Sequence, residues 1–373
     1  MLTALSDLTT LAATPFARTT RPVVSPLTGE VLADVPEGTP ACVEAAMARA
    51  RAVQPAWAAW PVRARCAVVR RLHDLVLTHR EAILSLMQVE TGKARRHAFE
   101  EVLDVALTAR YYAHRGPALL RPQRRRGAFP ILTRTTEAAL PVGVVGVIAP
   151  WNYPFTLALS DALPALIAGN AVVLKPAETT PLTALLGLAL LQAAGLPEGV
   201  MQVVPGAGET VGQALAEAAD FVQFTGSTEV GRIVAEITGR RLVPSSMELG
   251  GKNAALVLED APLGATVEGL MRACFSNAGQ LCISAERVLI QQRRYADVRD
   301  SLVARVRAMR VGPGSGYDIE MGALASPEQL EKTHAHVEDA RAKGAHVLCG
   351  GTPCPTSAPR SMRPRFWRAS CRA

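Results

Sequence analysis

Two residues of the chain, Glu248 and Cys282, supply a carboxylate and a thiol of the kinds that acyl chemistry uses. They lie 34 residues apart, in the glycine-containing blocks Met247–Lys252 and Asn277–Cys282. A thiolate is a strong nucleophile and a carboxylate can take a proton from water, so the pair predicts a catalytic nucleophile with its base. A lone cysteine is more often a small buried residue and a lone glutamate a solvated one. The sequence blocks around the two residues favour the catalytic interpretation, so an enzyme is the leading hypothesis.

Three blocks upstream carry further residues of chemical interest. They are Pro150-Trp151-Asn152-Tyr153-Pro154, Lys175-Pro176-Ala177-Glu178 and Phe224-Thr225-Gly226-Ser227-Thr228-Glu229-Val230-Gly231. The last predicts a strand, a glycine turn and a helix start, an arrangement whose backbone N–H groups can bind a pyrophosphate. In order and spacing, the five blocks closely resemble the NAD(P)-dependent aldehyde dehydrogenase superfamily over residues 25–351.

The resemblance implies a role for each candidate catalytic residue. Cys282 adds as a thiolate to an aldehyde, and the side-chain amide of Asn152, with the backbone N–H of Cys282, holds the oxyanion. Hydride transfer to the nicotinamide leaves a thioester, which is hydrolysed by a water that Glu248 deprotonates. Because acyl-transferring relatives usually lack this base, Glu248 favours release of a carboxylic acid over transfer to coenzyme A.

The resemblance also implies a dinucleotide site. Gly226, Ser227 and Gly231 belong to the pyrophosphate turn, and Ser227 is expected to donate to a phosphate. Lys175 and Glu178 resemble the clamp on the adenosine ribose. A carboxylate at Glu178 would repel a 2′-phosphate, which favours NAD, with NADP as the alternative. The remaining residues assigned to this site are Trp151, Pro176, Ala177 and Leu249.

A substrate is suggested by three stretches that look most like a bacterial succinate-semialdehyde dehydrogenase subgroup. They are Arg124–Ala128, Thr133–Thr135 and Cys274–Ser284. Better-studied members bind the distal carboxylate through two arginines, at positions that are Ser160 and Ser276 here, so two charge-assisted contacts are missing. Two alternatives follow: the carboxylate is bound elsewhere, or the substrate is a less charged aldehyde.

The elements that position these residues divide into helices followed by alternating strands and helices. Apolar residues recur at helical spacing from Val43 to Arg115, and Thr91-Gly92-Lys93 then resembles a family turn or is a simple helix stop. Short β-rich runs follow at Val144–Ala149, Ala171–Leu174, Val200–Val204, Phe221–Thr225 and Ala254–Leu258. Helical stretches such as Pro181–Ala194 and Glu209–Ala219 separate them. The pattern predicts an α/β fold with a doubly wound parallel sheet, plus a second, incomplete α/β domain that contains Cys282.

The expected domain limits follow the changes in pattern. Residues 1–126 form the N-terminal helical part of the cofactor domain, 127–142 an arm that in the resembled family joins subunits, and 143–249 the dinucleotide-binding domain. Residues 250–351 form the incomplete catalytic domain, with a strand near Arg287–Gln291, and residues 352–373 form a tail unlike the family.

That tail, Thr352–Ala373, contains four Pro, five Arg, two Cys and no acidic residue. We interpret it as the product of a frameshift near codon 352, because a shifted reading frame of GC-rich DNA typically encodes a sequence rich in Arg, Pro, Ser and Cys. The family block Glu-x-Phe-Gly-Pro, which holds the nicotinamide ribose, would then be absent. A catalytically inert remnant is therefore an alternative function, and a homo-oligomer, although implied by the resemblance, is doubtful for this chain.

Composition limits the remaining classes of function. The chain has 373 residues, 49% of them hydrophobic, and no apolar run or leader of the kind that enters a membrane, so we expect a cytoplasmic protein. Its seven cysteines form no CxxC pair or regular framework, so neither disulfides nor a metal site are expected. Although the net charge is +7, 35 of the 40 basic residues are arginines spread along helices, so nucleic acid is not an expected partner.

Overall fold

The computed structural model describes residues 5–129, 132–354, 361–362 and 366–368. Within them the chain forms two compact units. The first comprises residues up to Val23, Ala33–Ile83 and Glu101–Leu249, and the second comprises Val24–Leu32, Leu84–Glu100 and the residues from Gly250 onward. The last of the boundaries between the two units follows Leu249.

Helices and strands occupy most of the described chain. The helices are α1 (Leu5–Thr9), α2 (Pro40–Ala59), α3 (Val62–Thr78), α4 (Arg80–Thr91), α5 (Arg95–Leu119), α6 (Pro154–Leu159), α7 (Ala162–Ala168), α8 (Pro181–Ala193), α9 (Gln213–Ala218), α10 (Thr228–Arg240), α11 (Leu263–Phe275), α12 (Gln292–Arg307) and α13 (Pro327–Ala342). The strands are β1 (Thr20–Val24), β2 (Val31–Pro36), β3 (Gln123–Arg125), β4 (Thr135–Glu137), β5 (Val144–Ile148), β6 (Ala171–Lys175), β7 (Met201–Val203), β8 (Phe221–Thr225), β9 (Ser245–Glu248), β10 (Asn253–Val257), β11 (Ala285–Ile290), β12 (His346–Cys349), β13 (Pro353–Cys354), β14 (Ser361–Met362) and β15 (Phe366–Arg368).

The first unit is built on a five-stranded parallel sheet in the order β7-β6-β5-β8-β9. The chain winds outward from β5 in one direction and then returns to add β8 and β9 on the other side. This is the predicted doubly wound arrangement, in which ligands bind beyond the carboxyl ends of the strands where the winding reverses. The loops after β5 and β8 therefore lie where a cofactor site is expected.

Helices cover both faces of this sheet, because alternate strand residues point to opposite sides. One face carries a core cluster with α2, α9 and α10: Cys42, Val43, Ala46, Met47, Ala50, Val144, Ile148, Ala171, Val173, Val204, Val211, Leu215, Ala216, Ala219, Val222, Phe224 and Val234. The intervening residues Val145, Val147, Val172 and Leu174 are also buried, and helices α7 and α8 pack against β6 and β7. Burial on both faces explains why β5 and β6 are continuous apolar runs.

Two predicted elements differ from the observed ones. The run expected at Ala254–Leu258 forms β10 of the second unit, and Ser245–Glu248 is the fifth strand of the main sheet instead. That strand lies at the sheet edge and lacks the β-branched residues that mark strands, so its sequence gave no signal. The helix expected at Glu209–Ala219 begins as a π-helical turn, Gly208–Gly212, in which the Ala207 carbonyl accepts from the N–H of Gly212, five residues later, at 3.4 Å.

The second unit contains a parallel pair of strands, β10 and β11, packed with α11 and α12. Its core cluster consists of Val257, Val267, Leu270, Met271, Phe275, Val298, Leu302, Val306 and Met321. Residues 84–100, which we expected in the cofactor domain, belong to the second unit. One of their contacts in this unit is a hydrogen bond in which the Gly92 carbonyl accepts from Ala323 N–H at 2.8 Å. Gly92 has a φ of +76°, so Thr91-Gly92-Lys93 is a turn that ends α4 and pairs with a distant segment.

The expected arm is an antiparallel hairpin, β3 with β4, whose strand residues are all exposed. It begins at Gln123, a few residues before the expected limit, and Pro130 and Ile131 lie outside the described residues. In the tail, β15 pairs with β12 and β14 pairs with β13, while residues 355–360, 363–365 and 369–373 are not described. No helix among the described residues is long and apolar enough to cross a membrane.

Candidate active site

Asn152 lies in the loop between β5 and α6 and is half-buried, and its side-chain oxygen accepts from the backbone N–H of Tyr153 at 3.1 Å. The following helix is capped from outside this segment. Glu101 of α5 is completely buried, and its carboxylate accepts from the N–H groups of Phe155 at 2.8 Å and Thr156 at 3.1 Å. A negative group at a helix N-terminus satisfies orphan donors, so Glu101 fixes the backbone immediately after Asn152.

Lys175 and Glu178 come together at the carboxyl end of β6. Lys175 Nζ lies 2.7 Å from Glu178 Oε1, and the lysine side chain is buried whereas the glutamate is about a third exposed. Burial by itself would raise the pKa of Glu178. The nearby Lys175 charge and hydrogen bonds from Lys175 and from the backbone of Glu178 and Gly208 outweigh it, so the pKa is lowered. Glu178 is therefore held as a carboxylate acceptor, as a ribose-binding group must be.

Gly226 and Ser227 form the turn between β8 and α10. The Ser227 side chain accepts from Val230 N–H at 3.2 Å, which makes it the N-cap of α10 and leaves its O–H free to donate. A Cβ atom on Gly226 would lie 2.6 Å from the Phe224 ring, so only glycine fits. The exposed start of this 13-residue helix presents backbone N–H groups of the kind that can bind a phosphate group.

Gly231 lets the end of the sheet pack against α10. A Cβ atom there would lie 2.5 Å from Leu249 Cδ2, so Leu249 occupies the space that a larger residue would take. Both residues were assigned to the cofactor site from the sequence. In the structure they set the distance between the first turn of α10 and the chain after β9.

Glu248 is the last residue of β9 and is exposed. Its carbonyl accepts from Gly226 N–H at 3.0 Å, which joins the candidate base to the phosphate turn through the backbone. A second carboxyl group, Asp161 at the start of α7, is influenced by it. The pKa of Asp161 is raised to about 6, mainly by burial and further by the charges of Glu248 and Asp104, against a hydrogen bond from Gln223.

Cys282 is exposed in the second unit, on a loop held by side-chain hydrogen bonds to its backbone. Asn253 Nδ2 donates to the carbonyls of Cys282 at 2.7 Å and Ser284 at 3.0 Å. The buried Ser284 hydroxyl donates in turn to the carbonyls of Ala273 and Cys274 at the end of α11. These contacts hold the loop against the helix and leave the thiol accessible.

The backbone before Cys282 is strained. Asn277, Ala278 and Gly279 have consecutive φ values of +50°, +59° and +78°, a left-handed conformation that ordinary residues rarely adopt. Gln280 stabilises this turn, because its side chain donates to the Asn277 carbonyl at 3.0 Å and accepts from Ala325 N–H at 3.0 Å. Such strain is typical of functional loops and costs about 1–3 kcal/mol for a non-glycine residue, whereas Gly279 adopts this conformation without strain.

Cys274 offers a contrast within the same unit. It lies on α11, as predicted, and burial raises the pKa of its thiol to about 11. Cys274 is therefore protonated near neutral pH and unreactive. Of these two thiols, only that of Cys282 is exposed.

Some of the predicted site residues contact one another within one unit. Within the first unit Lys175 contacts Glu178 and Gly231 adjoins Leu249, while Trp151 is half-buried and Pro176 and Ala177 are buried. Asn152 and Glu248 belong to this unit and Cys282 to the second. Sequence reasoning missed Glu101, Asp161, Asn253 and Gln280. Glu101 alone left a signal, as an acid among the apolar positions of α5.

Comparisons with known proteins identify the family of the chain. The sequence profile of the Aldehyde dehydrogenase family matches residues 14–365, beyond the residue 351 at which we expected the resemblance to end. A protein of Mycolicibacterium smegmatis, provisionally named succinate-semialdehyde dehydrogenase [NADP(+)], is 46% identical over 348 residues, which are 93% of this chain and 67% of that protein.

Solved structures show the same fold. An aldehyde dehydrogenase from Brucella melitensis has a TM-score of 0.89 and 32% identity, with 94% of this chain and 72% of that chain covered. The NAD+ complex of an aldehyde dehydrogenase from Bacillus cereus has a TM-score of 0.89 and 31% identity, with 94% and 71% covered. The chain therefore belongs to the aldehyde dehydrogenase family.

Proposed function

We propose that the chain oxidises an aldehyde to a carboxylic acid with NAD(P), using Cys282 as nucleophile, Glu248 as base and Asn152 as oxyanion donor. The observation that carries this proposal is the exposed Cys282 thiol on a loop that Asn253 and Ser284 hold, in a chain of this family. The proposed nucleophile and base are tested by the two substitutions argued in the Discussion.

The residues of this chain divide the chemistry into two half-reactions. Cys282 as a thiolate adds to the aldehyde carbon, and Asn152 donates to the oxygen that becomes negative. Bound NAD(P) supplies a hydride acceptor, so that the thiohemiacetal becomes a thioester. Glu248 then takes a proton from a water molecule, the water oxygen adds to the thioester carbon, and the bond to Cys282 sulfur breaks. The acid leaves and the thiolate is restored.

The dinucleotide fits groups of the first unit. The start of α10 with Ser227 suits the pyrophosphate, and the Lys175–Glu178 pair suits the adenosine ribose, with Trp151, Pro176, Ala177 and Leu249 around them. The Mycolicibacterium relative has NADP(+) in its name, whereas the Bacillus structure is an NAD+ complex. On this chain, the carboxylate of Glu178 favours NAD.

Glu178→Gln should shift cofactor preference toward NADP. Removing the charge relieves repulsion of a 2′-phosphate and keeps a side chain of the same size, so the ratio of NADP to NAD affinity should rise about tenfold. Calorimetric titration with each cofactor measures this ratio. Glu209→Gln, an exposed carboxylate in the nearby π-helical turn, is the matched control. An unchanged ratio in Glu178→Gln would remove Glu178 from the ribose site.

Succinate semialdehyde is the substrate that we propose first, because several relatives bear its name. A less charged aldehyde is the second candidate, and one contact favours it. Ser160 occupies the position at which other members of the family have an arginine, and its hydroxyl donates to Asp104 at 2.8 Å. This chain therefore has a neutral hydroxyl, bound to a carboxylate, where those members have a positive charge. Asp104 and Asp161 also make this part of the first unit acidic.

Kinetics with succinate semialdehyde and butanal, which differ by the distal carboxylate, should separate the two candidates. If the carboxylate is recognised, its charge-assisted hydrogen bonds contribute about 1.5–3 kcal/mol, so kcat/KM should be at least about tenfold higher for succinate semialdehyde. NADH formation measures both. Equal values, or a preference for butanal, would favour the less charged substrate.

The domain roles are proposals as well. We propose that residues 143–249 bind the dinucleotide, that the unit from Gly250 onward provides the nucleophile, and that the exposed hairpin of β3 and β4 joins subunits. The edge contacts in that hairpin are polar, as in the 2.5 Å ion pair between Arg125 and Glu137.

A further inference from the structure

A groove on the surface of the first unit has no part in the mechanism above. It lies between α3 and α5 and has a volume of about 680 Å³. The two helices are in contact beside it: Cys66 Sγ donates to the Tyr112 carbonyl at 3.9 Å, and a Cβ atom on Gly116 would lie 2.9 Å from that sulfur. This contact fixes the spacing of the helices. Ligand sites are typically clefts of about 300–1,000 Å³, so the groove has the size of a small-molecule site.

The charges that line the groove are mainly positive. Arg70 of α3 and Arg110 and Arg115 of α5 are exposed, and their guanidinium groups make no ion pair or hydrogen bond within the part of the chain that the structure describes. Among the described residues that line the groove, Asp74 is the only acid, and its Oδ1 lies 2.8 Å from His73 Nδ1. Three unpaired arginines therefore make the groove complementary to an anion.

Neighbouring arginines of α3 show how an arginine with a structural role is held. Arg65 Nε donates to the Ile167 carbonyl at 2.9 Å, and Arg71 Nε donates to the Ala194 carbonyl at 2.6 Å. Both side chains join α3 to other elements of the first unit. Arg70 lies on the same helix without such a contact, so its N–H donors remain free for a ligand.

The α5 side of the groove also has an exposed apolar surface. Leu107 and Tyr111 are four residues apart and so lie on the same face of the helix. Their side chains are 55% and 53% exposed. The Tyr111 ring packs edge-on against the Tyr112 ring, with the centroids 5.1 Å apart, which helps to hold it in place. An exposed aromatic ring beside arginines can stack a nucleotide base while the guanidinium groups bind phosphates.

We propose that this groove binds a nucleoside polyphosphate. The three arginines bind the phosphates, and the base stacks on the Tyr111 ring. Arginine suits this ligand, because its planar guanidinium group can donate two parallel hydrogen bonds to a phosphate. None of the residues that line the groove belongs to the dinucleotide site proposed above, so this site is separate from that of the cofactor.

The test is calorimetric titration of the full chain with ATP in the presence of saturating NAD, which keeps ATP out of the proposed dinucleotide site. Arg70→Gln and Arg110→Gln should each weaken ATP binding on the order of tenfold, because each removes a charge-assisted contact with a phosphate. Arg63→Gln is the matched control and should leave the affinity unchanged. Arg63 is an exposed arginine of the same helix and does not line the groove.

Inorganic tripolyphosphate separates the contribution of the phosphates from that of the base. It has the three phosphate groups of ATP without the nucleoside, so it should bind at least about fivefold more weakly than ATP. Tyr111→Ala should remove most of this difference and leave the affinity for tripolyphosphate unchanged. The substituted side chains are exposed, so thermal unfolding should show folded variants with nearly unaltered melting temperatures.

Three outcomes would overturn the proposal. The first is the absence of ATP binding by the unaltered chain at millimolar concentrations. The second is ATP binding that Arg70→Gln and Arg110→Gln leave unchanged, which would place the ligand elsewhere. The third is equal affinity for ATP and tripolyphosphate, which would exclude recognition of a nucleoside. The substitutions locate the site on α3 and α5 whether or not the chain oxidises an aldehyde, so failure of the proposed function would leave this result interpretable.

Discussion

Cys282→Ala should abolish aldehyde oxidation, with a loss in NADH formation on the order of 10⁴-fold or more, because no covalent intermediate can then form. The substitution should leave the fold intact. Cys282 is exposed, and the contacts that hold its loop use its carbonyl, with Asn253 as donor, rather than its sulfur. Cofactor binding by the first unit should therefore be unchanged when measured by titration.

Cys274→Ala is the matched control for this prediction. Cys274 is half-buried on α11 and its thiol pKa is raised to about 11, so its removal should affect stability modestly and the NADH burst very little. Reaction with iodoacetamide, mapped by peptide mass spectrometry, should mark Cys282 well before Cys274. Normal turnover in Cys282→Ala would show that Cys282 is not the nucleophile. Loss of the burst in Cys274→Ala would assign that role to Cys274 instead.

The main sheet was predictable because its inner strands are buried on both faces. The continuous apolar runs at β5 and β6 predict central parallel strands, and the helices between them fix the winding. The edge strand β9 was not predictable, since Ser245-Ser246-Met247-Glu248 carries no strand pattern and acquires its structure from pairing with β8. Local sequence preference is weakest at such edges.

The candidate site was predictable where short blocks carry the chemistry and not where distant residues support it. Lys175 and Glu178 lie three residues apart, so one block predicts their contact. Glu101 caps the helix after Asn152 from a position about 50 residues earlier, and Asn253 holds Cys282 from 29 residues away. Such contacts depend on the folded chain, and one sequence without relatives gives no sign of them.

Glu248→Gln should separate the two half-reactions. The side chain of Glu248 is exposed at the end of β9, and only its backbone carbonyl binds Gly226, so glutamine should preserve the fold and the phosphate turn. Addition of Cys282 to the aldehyde and hydride transfer come before the step that needs a base. We therefore expect a full NADH burst, followed by a steady state that is about 10²-fold slower because the thioester is no longer hydrolysed efficiently.

Rapid-mixing absorbance at the first turnover and conventional assays afterwards measure the two phases on the same sample. Mass spectrometry of the quenched protein should show the acyl group accumulating on Cys282. Glu229→Gln is a suitable control, since Glu229 is an exposed carboxylate in the first turn of α10 with no role in acyl chemistry. If Glu248→Gln instead loses the burst and the steady state in equal measure, Glu248 acts before hydride transfer, as the group that activates the Cys282 thiol. In that case the water of the second half-reaction must be deprotonated by another group.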